Sequence, residues 1–540
     1  MSSYLLYEIF EKIFYYLRND TGTLYSCLLV KRSWCRSIVP ILWSNPFKSV
    51  KPGKAGKLME TYLKFLPCEP NQNAHLLLRN GKDLLSLLRG NSTFIFDYPI
   101  YLKVLDCLEL NRVIKEWSIL IVPRENSSYS GQLEYCSRWF SNKIINFFIK
   151  KCGRIETMIL ILDVYHFYGI PAVKNVEELV GFTSLRTLHL DYCCDGHVLS
   201  NVRDNYRSIE ELWISFIKTG VNTDALIKLI KSQRGLKDFR LRNASFIMEN
   251  FFGVSNDLLK ALMTQKDTLH TVQFFNCQFV GCKSLEPLAE CTNISRLGFF
   301  NCEGMIGEKI VPLAVSLKKL SVLALAIYEG FSADVMINMI RNSQESLKRI
   351  SFPLATSENY VSRVFRDMTP YSMNLIGITV CFQLGDDESF RSFLSLLDAC
   401  PNLEYLCLEG GDNDGTPLDF DDPCMIMGFE RLAKIMPRKV HRLLLYNVSV
   451  SPLSLQSFLD NCVAKIKYLG LYECPSFFDN HISVIIEYAQ KHNEMLKNLI
   501  IHRCHLVNIE AIHLAMEVIE KVQCSDQEPR DMEFTTWLEF

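Results

Sequence analysis

The chain has 540 residues, is 48% hydrophobic, and carries 58 Lys+Arg against 60 Asp+Glu. That length exceeds a single compact core, so several domains or one elongated repeat array are expected. The charge balance removes any global electrostatic basis for a nucleic-acid or anionic-membrane binder, and no uninterrupted apolar run of about 18 residues suggests a membrane span.

Twenty cysteines would suit a disulfide framework in a secreted chain. The first residues carry no basic stretch, however, and Glu8 and Glu11 interrupt the apolar run, which argues against a signal peptide. The thiols are therefore expected to be reduced and to act mostly as small buried hydrophobes in a cytoplasmic or nuclear protein. The sequon Asn91-Ser92-Thr93 then has no role.

From Leu5 to Leu17, the residues Leu5, Leu6, Ile9, Phe10, Ile13, Phe14 and Leu17 recur at three- and four-residue steps, which predicts a helix with one apolar side. Asn19-Asp20-Thr21-Gly22-Thr23 breaks that helix and offers caps for the next, which carries Leu24, Cys27, Leu28 and Val30. A third helix follows Ser33 with Trp34, Ile38, Leu42 and Trp43, and Pro46 stops it. Three short helices bury little surface alone, so a partner is expected to supply part of their stability. A simple helical cap on the following domain is the plainer reading of the same pattern.

Three blocks within residues 4–47 carry a family resemblance: Leu5-x-x-Glu8-Ile9-Phe10-x-x-Ile13-Phe14-x-x-Leu17, Val30-x-Arg32-x-Trp34, and Leu42-Trp43. In order and spacing the segment resembles an F-box of the fungal type, with Leu6 standing where that family has proline. The resemblance implies that Leu5, Leu6, Ile9, Ile13, Leu17, Val30, Trp34 and Trp43 contact a Skp-type adaptor. Through the adaptor the chain would join a cullin scaffold.

Residues 48–150 read as a mainly helical connector with irregular early repeats. Lys51-Pro52-Gly53-Lys54 marks a turn, apolar stretches follow at 84–88 and 101–117, and Ser127-Ser128-Tyr129-Ser130-Gly131 reads as a loop.

Beyond residue 150 the pattern apolar-x-x-apolar-x-apolar returns at leucine-rich-repeat spacing. Five clear copies end in cysteine at one offset: Leu185 to Cys193, Leu269 to Cys277, Ile294 to Cys302, Ile466 to Cys474 and Leu496 to Cys504. Weaker copies begin at Ile155, Ile209, Leu236, Leu320, Leu347, Leu375, Leu403 and Val440. Amphipathic segments between copies, such as 224–232 and 334–342, suit helices. The expected architecture is therefore α/β: an F-box-like three-helix domain at 1–47, the connector at 48–150, a leucine-rich-repeat solenoid at 151–522 and a polar tail at 523–540. The solenoid would have parallel strands on its concave face and helices on its convex face.

Strand residues that alternate with the inward ones should face outward from the core. They include His189, Asp191, Trp213, Arg240, Arg242, Phe275, Phe300, Ala324, Ala326, Ser351, Tyr446 and Tyr472. Trp, Tyr and Arg dominate binding hot spots, so Trp213, Arg240, Arg242, Phe275 and Phe300 are candidates for binding a protein target. The alternative is that they pack on one another or on the C-terminal tail.

An acidic insertion at 410–422 lacks the glycine and closing glutamate of an EF-hand and reads as a solvated loop. No Walker loop, Gly-x-Gly-x-x-Gly, Gly-x-Ser-x-Gly or His-Glu-x-x-His occurs. In His502-Arg503-Cys504-His505 the thiol already occupies the buried repeat position, so no zinc site is expected. The reading is thus a non-catalytic substrate receptor of a ubiquitin ligase, needing no cofactor and binding neither nucleic acid nor membrane. The competing reading is a repeat scaffold not joined to a ligase. An enzyme with a site hidden in 48–150 comes third.

Overall fold

The computed structural model describes residues 2–48, 50, 53–66, 94–121, 129–161, 184–191, 196–216, 223–243, 252–326, 332–352, 358–382, 387–410, 418–419, 423–474, 476–492, 495–504 and 506–525. The chain divides into two units, Met1–Asn250 and Phe251–Phe540.

The first unit opens with α1 (Ser2–Tyr16), α2 (Thr21–Leu28) and α3 (Arg32–Leu42). The Asp20 carboxylate caps α2 by accepting from the Thr23 amide at 3.0 Å. Phe14, Leu24 and Ile38 form the buried centre of this bundle, wrapped by Phe10, Leu17, Leu28, Trp34 and Ile41. Next come α4 (Ala55–Leu63), a 3-10 turn at Tyr98–Tyr101, and the helices Cys107–Ile121 and Tyr129–Lys151. Five parallel strands complete the unit in chain order: β1 (Val104–Asp106), β2 (Thr157–Ile161), β3 (Thr187–Asp191), β4 (Glu211–Phe216) and β5 (Asp238–Asn243). The connector is thus mainly helical among its described residues, but it also contributes β1 to the sheet.

In the second unit β6 (Phe252–Gly253) pairs with β8 (Cys277–Gln278), and β14 (Leu418–Asp419) with β16 (Val448–Ser449). The main parallel ladder there runs β7 (Thr271–Phe275), β9 (Arg296–Phe300), β10 (Val322–Ala326), β11 (Arg349–Ser351), β12 (Gly377–Phe382) and β13 (Tyr405–Gly410). It continues through β15 (Arg442–Tyr446), β17 (Tyr468–Tyr472), β18 (Asn498–His502) and β19 (Lys521–Ser525). Helices such as Ala333–Asn342 and Asp479–Lys491 connect successive strands.

Each copy of the sequence repeat places a strand two residues after its opening apolar residue, from Ile155 before β2 to Leu496 before β18. The opening residue and the two strand residues that follow it in the pattern are buried under the sheet, as with Leu185, Leu188 and Leu190 at 3%, 1% and 1% exposure. The array is therefore built of leucine-rich repeats. β1 and β19 add strands beyond the copies that run from Ile155 to Leu496, and β19 crosses the boundary expected at 522.

One backbone arrangement recurs at most turns. The carbonyl just before a strand accepts two consecutive amides of the next turn. Lys103 O takes the Glu156 and Thr157 amides at 2.8 and 3.0 Å, and Glu404 O takes those of His441 and Arg442 at 3.0 and 3.2 Å. Successive turns are thus tied at the strand entrance as well as along the ladder.

At the strand exits, Asn276, Asn301, Asn447, Glu473 and Arg503 adopt φ between 47 and 53°. This left-handed step, tolerated best by Asn, turns the next side chain back beneath the sheet. There the Cys302 thiol donates to Phe274 O and Phe300 O at 3.4 Å each, and Cys474 to Tyr472 O at 3.4 Å. Cys277 and Cys504 sit the same way, whereas Cys193 lies outside the described residues. Glu473 and Arg503 lack Asn's tolerance for this conformation, and their ion pair at 2.6 Å offsets part of the strain. Burial pushes the thiols of Cys291 and Cys400 up to about 12, as fits inert apolar side chains.

Truncating an inward leucine should cost a core penalty. Leu469→Ala is expected to lower unfolding free energy by about 2–5 kcal/mol. Leu453→Ala, on the exposed side of its helix, should change it by less than about 0.5 kcal/mol. Denaturant midpoints of the two variants check the pair.

Candidate functional site

Two surfaces emerge from the packing, one on the N-terminal helices and one on the sheet. On α1 the apolar residues divide into two stripes. Phe10, Phe14 and Leu17 turn inward, and Trp34 of α3 closes on them with ring centroids 5.2 Å from Phe10 and 5.4 Å from Phe14. Ile9, Ile13 and Tyr16 occupy the adjoining stripe at i, i+4 and i+7 and are 47%, 45% and 84% exposed. Leu29 and Val30, just past α2, are also exposed. A bundle this small that leaves Ile9, Ile13, Tyr16, Leu29 and Val30 in water has a surface suited to being covered.

The residues expected to contact an adaptor therefore fall into different environments. Ile9, Ile13 and Val30 are exposed, and Trp34 is half-buried in the bundle. Leu17 belongs to the bundle's own packing. Trp43 stacks on Tyr98 at 4.1 Å and meets Tyr62 edge-on at 5.4 Å. This corrects its expected outward role: the α3 terminus turns it toward α4 and the 3-10 turn. The side chains of Leu5 and Leu6 lie outside the described residues. Tyr16 and Leu29 were missed because a helical repeat of apolar residues does not separate a packed stripe from its neighbour.

The bundle is fastened to the strands behind it. Ser44 O, just beyond α3, accepts the amides of Lys103 and Val104 at 2.9 and 3.0 Å, the same two-amide arrangement that joins the repeats. The Arg112 guanidinium donates to Phe47 O at 3.1 Å, and Phe47 itself is buried between Tyr62 and Phe148. The joint is therefore made of backbone bonds and an aromatic core.

On the sheet, the five candidate target-binding residues separate between the units. In the first unit His189, Trp213 and Arg240 lie at one register position on β3, β4 and β5. The Trp213 ring sits 5.1 Å from the His189 ring, and the Arg240 guanidinium lies 5.2 Å from the Trp213 centroid. Asp238 holds Arg240 through two bonds of 2.9 and 3.0 Å. Arg242 occupies the next outward position on β5, between the buried Leu241 and Asn243. Arg240 is thus already neutralised and stacked. Burial, and then the Arg240 charge, pull the His189 imidazole down to about 4, so it is neutral at pH 7.

In the second unit Phe275 and Phe300 stack at 4.6 Å with their planes 6° apart, within a cluster that includes Val322 and Ala324. They are 2% and 3% exposed. That corrects their reading as target contacts: they pack on one another. Gly298 makes this possible, since a Cβ there would stand 2.6 Å from the Phe300 ring. A second cluster on the same unit joins Cys407, Leu444, Tyr472 and Ile500, with Tyr405, Tyr446 and Tyr468 against it.

Sequence reasoning also passed over Arg296, Arg349 and Arg442, each the first residue of its strand. The shared string apolar-x-Arg-apolar (Ile294 to Leu297, Leu347 to Ile350, Val440 to Leu443) was the available signal. The acidic insertion lies largely outside the described residues, as does His505. Cys504 is buried and hydrogen-bonded to backbone, as its repeat position requires.

No protein-family model matches the chain, and no curated protein does. Among solved structures it is similar to the Rad7 and Elc1 complex of yeast, with 14% identity, a TM-score of 0.40, and coverage of 62% of this chain and 80% of that one. It is also similar to the leucine-rich-repeat-containing protein LegL7 of Legionella pneumophila, with 12% identity, a TM-score of 0.35, and coverage of 57% and 98%. A third is the TLR13–ssRNA13 complex, with 10% identity, a TM-score of 0.30, and coverage of 69% and 50%.

Two measurements separate packing from exposed surface. Trp43→Ala should destabilise by about 2–3 kcal/mol, the low side of a tryptophan truncation because the ring is half-buried, whereas Ile13→Asp should leave stability within about 0.5 kcal/mol. The depressed His189 titration contributes stability that is fully present above its unfolded value of 6.5 and is lost as pH falls toward about 4. Unfolding free energy should therefore fall less between pH 7 and 4.5 in His189→Gln than in the unsubstituted chain.

Proposed function

We propose that the chain is the substrate-recognition subunit of an SCF-type ubiquitin ligase. Its first three helices, read as an F-box, bind a Skp-type adaptor, and its repeats hold a protein target. The observation that carries this reading is the outward stripe of Ile9, Ile13 and Tyr16, with Val30 also exposed, on a bundle whose sequence blocks resemble that family.

Such a subunit needs no active site of its own. It acts by position: holding a target near an activated donor raises the effective concentration of its lysines. The Ser44 joint supports that role, because a target held on β1 to β5 cannot swing freely about α1 to α3.

Recombinant Skp-type adaptor, immobilised and challenged with the full chain, tests the proposal. The unsubstituted chain should be retained, and Ile9→Asp with Ile13→Asp should weaken retention more than about tenfold, since each places a charge in an apolar interface. Both positions are exposed, so the variant should keep its thermal midpoint. Equal retention of the two, or none by the unsubstituted chain, favours a repeat scaffold outside any ligase.

A further inference from the structure

The inward residues of the second unit's ladder alternate with a row at its strand entrances: Arg296, Val322, Arg349, Gly377, Tyr405 and Arg442 occupy one register position on β9 to β15. The residue following each arginine, Leu297, Ile350 or Leu443, is buried at 0%, 3% or 0%. The three guanidinium stems therefore leave the sheet on the face opposite the helices.

Gly377 shapes the middle of the row. A Cβ there would lie 3.2 Å from Arg349 Cγ and 3.3 Å from Tyr405 Cδ1, so its absence lets the Arg349 stem lean across the strand. The Arg442 guanidinium sits 4.9 Å from the Tyr468 ring centroid. Partial burial, and after it the charge of Arg296 and that of Arg442, disfavour the protonated form of Arg349, while Tyr405 and Glu404 oppose them. No ion pair engages Arg296 or Arg349 among the described residues. Arg296 and Arg349 thus hold like charges two strands apart, an arrangement that an added anion relieves.

We propose that this arginine row binds an extended acidic segment of a protein target, which rests on the reading of the repeats as the target-holding part. Arg296 and Arg349 are two strands apart and Arg349 and Arg442 three, or about 10 and 14 Å at the usual strand spacing. Carboxylates three residues apart along a peptide extended in the polyproline-II form recur on one side about 9 Å apart, which matches the first separation and, with the reach of the side chains, the second. Planar guanidinium groups favour two-point contact with carboxylates. A long polyphosphate, charged at every unit, fits less well than spaced carboxylates, because Glu404 stands beside Arg349 and Glu409 lies on β13, two strands from it.

Fluorescence anisotropy with the full chain provides the test, using a labelled 12-residue Gly/Ser peptide with glutamate at every third position and its glutamine counterpart. The glutamate peptide should bind at least about tenfold more tightly than the glutamine peptide, and added salt should weaken it. Arg349→Gln and Arg296→Gln should each lose about tenfold, while Arg349→Lys should lose less because it keeps the charge. The comparison of peptides on the unsubstituted chain stands even where a variant folds poorly. Equal binding of both peptides overturns the proposal, as does unchanged binding by the well-folded Arg296→Gln and Arg349→Gln double variant. Tighter arginine-dependent binding of a single-stranded RNA would overturn it in favour of nucleic acid. Adaptor retention measured on the same preparations separates the two readings: its loss with peptide binding intact counts against the ligase alone, and the reverse counts against the arginine row alone.

Discussion

The carbonyl shared by two amides at most strand entrances is the constraint on which the molecule depends. A single leucine-rich turn cannot bury its apolar side, and its short strand makes few ladder bonds, so it is stable only against a neighbour. The shared carbonyl fixes where that neighbour starts. Because Glu156 O, Arg186 O and Glu210 O each repeat the arrangement in the first unit, register is set before any side chain is chosen. The inward leucines then fall on the same side of every strand. Outward residues such as Trp213 and Arg240 are aligned for the same reason.

Much of this was legible because burial leaves a periodic trace. Every marked copy became a strand, since an inward position must be apolar whatever its neighbours are. β1 carries the same string, Leu102-x-x-Leu105-x-Cys107, with all three residues buried, but it has three residues and stands directly between a 3-10 turn and a long helix, where the stretch reads as helical. β19 carries Ile519-x-x-Val522-x-Cys524, but the string straddles the expected boundary at 522, no further strand packs on it among the described residues, and Val522 and Cys524 are not buried. Helix faces on α1 were less legible. Phe10, Phe14 and Leu17 and the adjoining Ile9 and Ile13 form one continuous apolar arc in a helical projection, and only packing against Trp34 divides them.

The outward residues of the sheet show the limit more sharply. Alternation assigned Phe275 and Phe300 to a face but could not supply their neighbours. Pairing sets them side by side, Gly298 opens the space between, and the rings close on each other. In Arg240 the same effect works through charge, because Asp238 two residues earlier on the same strand reaches its guanidinium. A hot-spot residue type is therefore informative only once its partners within the chain are known. That knowledge turns attention from Phe275 and Phe300 to the arginines at the strand entrances.

Ser44 O accepts two amides at the entrance to β1, as Lys103 O, Glu156 O, Arg186 O and Glu210 O do for the strands that follow, so the helical bundle is in effect the zeroth repeat of the first unit. Domains joined by a flexible tether sample many mutual orientations, and a docked complex must lose that freedom when both ends are engaged. Here the freedom is surrendered once, when the chain folds. A protein that seizes α1 thereby sets the azimuth at which β1 to β5 face the solvent, much as the first tread of a spiral stair fixes the bearing of those above it.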